Sequence, residues 1–223
     1  IKLASNENPL GPSPLALEAI KRHAGDVHLY PDGGGYQLSH RLASITGVAP
    51  ECVTLGNGSN DILELIGRAF LTPALSAVYS AYSFAVYPIV VQAVGARANV
   101  APALPETDAV MPLGHDLEAM LAAVDVDTRV VFIANPNNPT GTWLQQSALE
   151  QFLDAIRDDI IVVLDLAYHE YMPEALQINI PAWLQRYPNL VITGTFSKIH
   201  ALAGLRIGYS YSHPDIANVL NRV

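Results

Sequence analysis

Hydrophobic and polar positions along this chain switch period repeatedly, between the 3.6-residue spacing of amphipathic helices and the short apolar runs of buried strands. Helical spacing is clear from Tyr36 to Thr46, where Leu38, Leu42 and Ile45 share one side and Gly47 supplies the stop. Ser13-Pro14 reads as an N-cap and first helical position, opening an amphipathic helix to about Ala24. Further helices are predicted over Asp61 to Phe70, Phe84 to Val94, Asp116 to Val124, Ser147 to Arg157 and from Pro214 onward. Between them lie β-rich runs at Cys52 to Leu55, Ser76 to Tyr79, Ala98 to Ala101, Arg129 to Ile133, Ile160 to Leu164, Leu190 to Thr193 and Arg206 to Tyr211. Such alternation predicts an α/β fold, a mostly parallel sheet sandwiched by helices, with ligand groups collecting at the strand ends.

Composition narrows the class. With 223 residues, 50% hydrophobic and 15% charged, the chain can bury a sizeable core. A formal net charge of -9 argues against nucleic acid or an anionic membrane as partner, since both reward a basic surface. The single cysteine, Cys52, cannot close an internal disulfide and suits a reducing cytoplasm, the expected location. No signal peptide or membrane span is expected, because the apolar stretch from Phe84 to Val100 is interrupted by Pro88, Gln92 and Arg97. The histidines are scattered, with no His-Glu-x-x-His pair, so no metal site is expected. A Gly-x-Ser-x-Gly elbow, which a serine hydrolase of the α/β type would carry, is absent.

The candidate chemistry centres on Lys198, in Thr193-Gly194-Thr195-Phe196-Ser197-Lys198, followed by Ala203-Gly204-Leu205-Arg206. Upstream stand Asn137-Asn138-Pro139-Thr140-Gly141 and, closing an apolar run, Asp165 with Tyr168. Amine, anion binder, carboxylate, phenol and amide in one ordered set are what a pyridoxal phosphate enzyme needs. A lysine amine holds the aldehyde cofactor and later moves a proton, the role expected of Lys198. A protonated pyridine nitrogen requires a carboxylate, and Asp165 falls where a buried strand ends. Raising the ring pKa by about three units takes about 4 kcal/mol. A carboxylate about 3 Å away at an effective dielectric of about 20 supplies about 5 kcal/mol. Tyr168 and Asn138 can donate to the phenolic oxygen, and Arg206 with the hydroxyls of Thr195 and Ser197 can bind the phosphate. The loop Gly56-Asn57-Gly58-Ser59-Asn60 lies between strand and helix and reads either as a phosphate-binding helix start or as a turn capped by Ser59 or Asn60.

These segments, together with Ala4-Ser5-Asn6-Glu7-Asn8-Pro9-Leu10-Gly11-Pro12 and Tyr30-Pro31-Asp32-Gly33, resemble the fold type I aminotransferases, and among them the histidinol-phosphate aminotransferases. The resemblance runs nearly the length of the chain in the family's order. It implies a fold type I, pyridoxal phosphate-dependent large domain, with Ser59 and Asn60 at the phosphate and Phe84 stacked on the pyridine, Tyr82 being the neighbouring alternative. It also implies a homodimer in which Tyr30 reaches the partner's phosphate, an N-terminal arm whose Asn6 meets substrate beside Asn138, and histidinol phosphate and 2-oxoglutarate as the amine and its acceptor. Lys198, Asp165 and Tyr168 are the catalytic candidates.

Residues 1–27 are expected to form an N-terminal arm and the first helix of a small domain, and residues 28–223 the cofactor domain. Two positions depart from the family pattern, Leu166 where many members carry glutamate and Gly194 where arginine is frequent. Relatives continue into a C-terminal small domain that carries an arginine for the substrate carboxylate, so the chain ending at Val223 reads as truncated. Alternative readings are an aromatic amino acid aminotransferase, a phosphothreonine decarboxylase, or a cofactor-binding fragment without turnover.

Overall fold

The computed structural model describes residues 4–223. Its seven strands are β1 (Val53–Gly56), β2 (Ser76–Ser80), β3 (Arg97–Ala101), β4 (Thr128–Ala134), β5 (Ile161–Asp165), β6 (Leu190–Thr195) and β7 (Gly208–Ser212). They form one sheet in the order β1-β7-β6-β5-β4-β2-β3. Neighbours from β3 to β6 pair in parallel, and β7 runs antiparallel to both β6 and β1. The helices are α1 (Pro14–His23), α2 (Tyr36–Thr46), α3 (Ser59–Phe70), α4 (Val86–Ala93), α5 (Leu117–Ala122), α6 (Gln146–Ala155), α7 (Ile180–Arg186) and α8 (Pro214–Leu220).

Alternation along the central strands sends side chains into two separate cores. Val131 and Ile133 of β4, Val162 and Leu164 of β5 and Leu190 and Ile192 of β6 pack with α2, α5, α6 and α7. The intervening Val130, Phe132, Val163 and Val191 pack with α3, α4 and α8. Strands buried on both faces read as continuous apolar runs, which is why they stand out in the sequence. Helix starts follow their caps: Ser13 accepts from Ala16 N, Asp116 from Ala119 N and Asn179 from Ala182 N.

Three details differ from the expectations. Helix α4 starts at Val86 rather than Phe84, which leaves Phe84 in the loop before it. Strand β7 starts at Gly208 rather than Arg206, because Arg206 turns into the left-handed region (φ 54°). Helix α7 was unanticipated, although Asn179 and Pro181 give it a capped start. The expected amphipathic helix α1 forms but buries none of its residues, leaving Leu15 exposed on it.

Candidate active site

The carboxyl ends of the parallel strands line up in register. Ala134 of β4 pairs with Asp165 of β5, which pairs with Thr193 of β6. Above them opens a cavity of about 780 Å³. Lys198, Asp165, Tyr168, Asn138, Ser59, Asn60, Phe84, Thr195, Ser197, Arg206 and Asn6 all line it. Tyr30 does not; it is fully exposed on the segment before α2.

Asp165 ends β5 and is buried. Its Oδ1 accepts from Thr193 Oγ1 at 3.0 Å and from the Ala167 N–H at 3.2 Å, and its Oδ2 accepts from Tyr87 Oη at 3.0 Å. Burial pushes its carboxyl above the usual range, against the lowering effect of these three donors and of Lys198. Sequence reasoning missed Tyr87 and Thr193. The signal for Tyr87 was its place three before Val90 and four before Val91: a tyrosine on the apolar face of a helix must find a partner for its hydroxyl.

Lys198 follows β6. Its Nζ donates to the carbonyl of Ser5 at 3.0 Å and lies 5.6 Å from the centre of the Tyr168 ring. Tyr168 Oη accepts from Asn6 Nδ2 at 2.9 Å, so residues 5 and 6 cross the cavity above the amine. Asn138 is presented by a loop that its neighbours fix. Asn135 bonds Leu144 in both directions, and Asn137 Nδ2 donates to the carbonyl of Tyr82 at 2.7 Å and to Thr140 Oγ1 at 2.8 Å. The adjacent Asn137 is therefore a structural asparagine, whereas Asn138 faces both this cavity and a smaller one of about 480 Å³ bordered by Trp143 and Tyr171.

The opposite wall gathers hydrogen-bond donors that could hold an anion. Helix α3 starts at Ser59 with Gly58 as its N-cap, which has no side chain to cap it, so neither Ser59 nor Asn60 serves as N-cap and the helix start faces the cavity. Arg206 lies over it, with Nη2 donating to the carbonyl of Asn57 at 3.3 Å and Nη1 to the carbonyl of Ala203 at 3.0 Å. Ser197 Oγ lies 3.5 Å from Arg206 Nη1, and Thr195 Oγ1 accepts from the Ser197 N–H at 3.1 Å. The approach is close enough to require glycine: a Cβ on Gly208 would stand 2.2 Å from Gly58 C and Ser59 N, and one on Gly58 would stand 2.4 Å from Arg206 Nη2. Phe84 reaches the cavity with its ring edge-to-face against Tyr87 at 5.8 Å. No cluster of metal-ligating side chains occurs among the described residues.

An amine, a buried carboxylate and an uncapped helix start beside a guanidinium together suit a ligand that carries both a carbonyl and an anionic group. Residues 1–223 match the family aminotransferase class I and II, and the chain belongs to it. Among curated relatives it is 52% identical to histidinol-phosphate aminotransferase 1 of Nitrosococcus oceani and 53% identical to histidinol-phosphate aminotransferase 2 of Nitrosospira multiformis. Both alignments cover all of this chain and 58% and 55% of those proteins, so the chain spans little more than half their length. The histidinol-phosphate aminotransferase of Sinorhizobium meliloti, solved in complex with pyridoxal-5'-phosphate, superimposes with a TM-score of 0.91 at 32% identity. That match covers 98% of this chain and 58% of the solved one.

Proposed function

We propose that this chain carries the cofactor site of a pyridoxal phosphate-dependent aminotransferase that moves the amino group of histidinol phosphate to 2-oxoglutarate, in histidine biosynthesis in the cytoplasm. The observation that supports this most is 52% identity, sustained over all 223 residues, to a protein named for that reaction. The donor set fits the cofactor: one amine, one buried carboxylate, and a helix start with the Arg206 guanidinium beside it on the cavity wall.

When bound, the cofactor supplies an aldehyde for an amine and an electron sink for the carbon beside it. Lys198 Nζ would anchor it through its aldehyde and, as a free amine, would carry the proton of the substrate's amine-bearing carbon. Asp165 holds a proton on the ring nitrogen. Tyr168 and Asn138 would donate to its phenolic oxygen, and Phe84 would shield it from water. Arg206, Ser197, Thr195 and the α3 start, with Ser59 and Asn60, bind the phosphate. Asn6 and Asn138 meet the substrate. Tyr30, exposed here, serves the partner's site in a homodimer. Residues 1–27 belong with a small domain and residues 28–223 form the large one.

The test is glutamate formation from histidinol phosphate and 2-oxoglutarate by the purified protein with added cofactor, paired with borohydride reduction and peptide mapping. Amine transfer together with a reduced adduct on Lys198 is the expected result. An adduct on another lysine would remove Lys198 from its role, and an adduct on Lys198 with transfer only from other amines would replace the substrate.

A further inference from the structure

The groups that hold Asp165 from behind are as ordered as those that face the cavity. Tyr87 is completely buried in the first turn of α4. Its ring stacks on Phe132, with centres 4.9 Å apart and planes 10° from parallel, and meets the Phe84 ring edge-to-face. Its hydroxyl is thereby aimed at Asp165 Oδ2, at 3.0 Å. Burial, and then the charge of Asp165, push the phenol well above its ordinary range, so toward the carboxylate it acts as a donor.

The two carboxylate oxygens are treated unequally. Oδ1 already accepts two bonds, from Thr193 Oγ1 and the Ala167 N–H, whereas Oδ2 accepts one from the protein. A carboxylate oxygen readily accepts two. The acceptor capacity that the protein leaves unused is therefore on Oδ2, the oxygen that Tyr87 holds.

We propose that Tyr87 is a positioning residue of this site: its hydroxyl fixes Asp165 as an ionised acceptor directed at the cofactor ring, while its ring sets the stacking position of Phe84. This rests on the reading above that Asp165 meets the ring nitrogen. Other titratable or charged groups that act on Asp165 or share its cavity are Lys198 after β6, Tyr168 after β5, Glu7 of the N-terminal arm and Arg206 before β7; β4 beside it presents Ala134.

The experiment is the titration of the Asp165 carboxyl by carbon NMR in the cofactor-free protein, with its signal identified by its loss in Asp165→Asn, alongside the affinity for pyridoxal phosphate. Tyr87→Phe removes one oxygen and keeps the ring on Phe132. It is expected to raise the Asp165 midpoint by about one pH unit, ten-fold in ionisation, the worth of one hydrogen bond to a charged group. Cofactor affinity should weaken about ten-fold with it. As a second variant, 3-fluorotyrosine at position 87 preserves the bulk and strengthens the donor, and should move the midpoint the other way. Loss of packing alone would leave the midpoint in place, so an unmoved midpoint in either variant overturns the proposal. If Asp165→Asn retains normal cofactor affinity and turnover, the reading of Asp165 itself fails, whatever Tyr87 does.

Discussion

At the amino-terminal end of the sheet, Asp125 is surrounded by donors: Ser76 Oγ, Thr128 Oγ1 and the Asp127 N–H on Oδ1, and Asn99 Nδ2 and Arg97 Nη2 on Oδ2. At the carboxyl end Asp165 has three donors, more complete burial, and a place in the lining of a cavity. The Asn99 amide first, then the Thr128 and Ser76 hydroxyls and the Asp127 N–H, hold Asp125 well below the usual carboxylate range. Burial holds Asp165 above it. Identical side chains at opposite ends of one sheet are thus driven in opposite directions. The end that is satisfied internally closes the fold, and the end that is left short of a partner is where a ligand can add one.

The contrast is broken most severely by removing the amine at the open end. Lys198→Ala should lower transamination at least about 10⁴-fold, since both the anchor and the proton carrier go. Initial rates with borohydride mapping check this, and retained turnover would sink the assignment of the amine.

Asp165→Asn sharpens it, because function and stability should move apart. Losing about 4 kcal/mol of ring-nitrogen protonation corresponds to about a thousand-fold in rate. Yet an asparagine can still accept from Thr193 and Ala167 and can donate to Tyr87 Oη. A carboxyl whose folded pKa is raised contributes most to stability below its unfolded value near 3.9, and that contribution is lost as pH rises through the folded value. At neutral pH, well above the unfolded value, the raised Asp165 carboxyl is therefore a burden on the cofactor-free fold, and the variant should melt higher than the wild type at pH 7. A lower melting point would show that the carboxylate stabilises the site it occupies.

Gly208→Ala attacks the cradle rather than the chemistry. The new Cβ would meet backbone atoms of Gly58 and Ser59 at 2.2 Å, which cannot yield as a side-chain tip would. Forcing β7 and the α3 start apart should cost about 2 kcal/mol in stability and weaken cofactor affinity at least ten-fold. Urea midpoints and a cofactor titration measure the two, and wild-type affinity would show that the α3 start does not touch the phosphate.

Much of this was legible in the sequence, and for a physical reason. Strands buried on both faces, such as Val130 to Ala134 and Val162 to Leu164, announce themselves as apolar runs, and caps such as Ser13 and Asp116 mark helix starts. The residues brought to the cavity sit at the ends of those runs. What escaped were the partners of the site. Tyr87 and Thr193 have their polar atoms inside the core, and which polar atom meets which depends on the lateral strand order, Ala134 beside Asp165 beside Thr193, that no local pattern encodes. Arg206 in the left-handed region was hidden likewise: its guanidinium bonds the carbonyl of Asn57, 149 residues away, a contact that no local pattern encodes.

The smallest effect belongs to the closed end, where Asp125→Asn removes a charge and turns one acceptor oxygen into an amide facing two donors, Asn99 and Arg97. Asp125 is partly open to solvent, so screening limits the loss, and about 1 kcal/mol at pH 7 is expected. The sign is fixed by linkage. A carboxyl whose folded pKa is depressed contributes stability that is present above its unfolded value near 3.9 and is lost as pH falls through the folded value. The gap in urea midpoint between wild type and variant should therefore be full at pH 7, hold to about pH 4, and narrow progressively below it. Activity at pH 7 should be untouched, since the group stands at the far end of the strands from Lys198. A gap that ignored pH would mean that Asp125 contributes as a neutral hydrogen-bonding shape rather than as a charge, and the opposition between the two ends of the sheet would lose its electrostatic half.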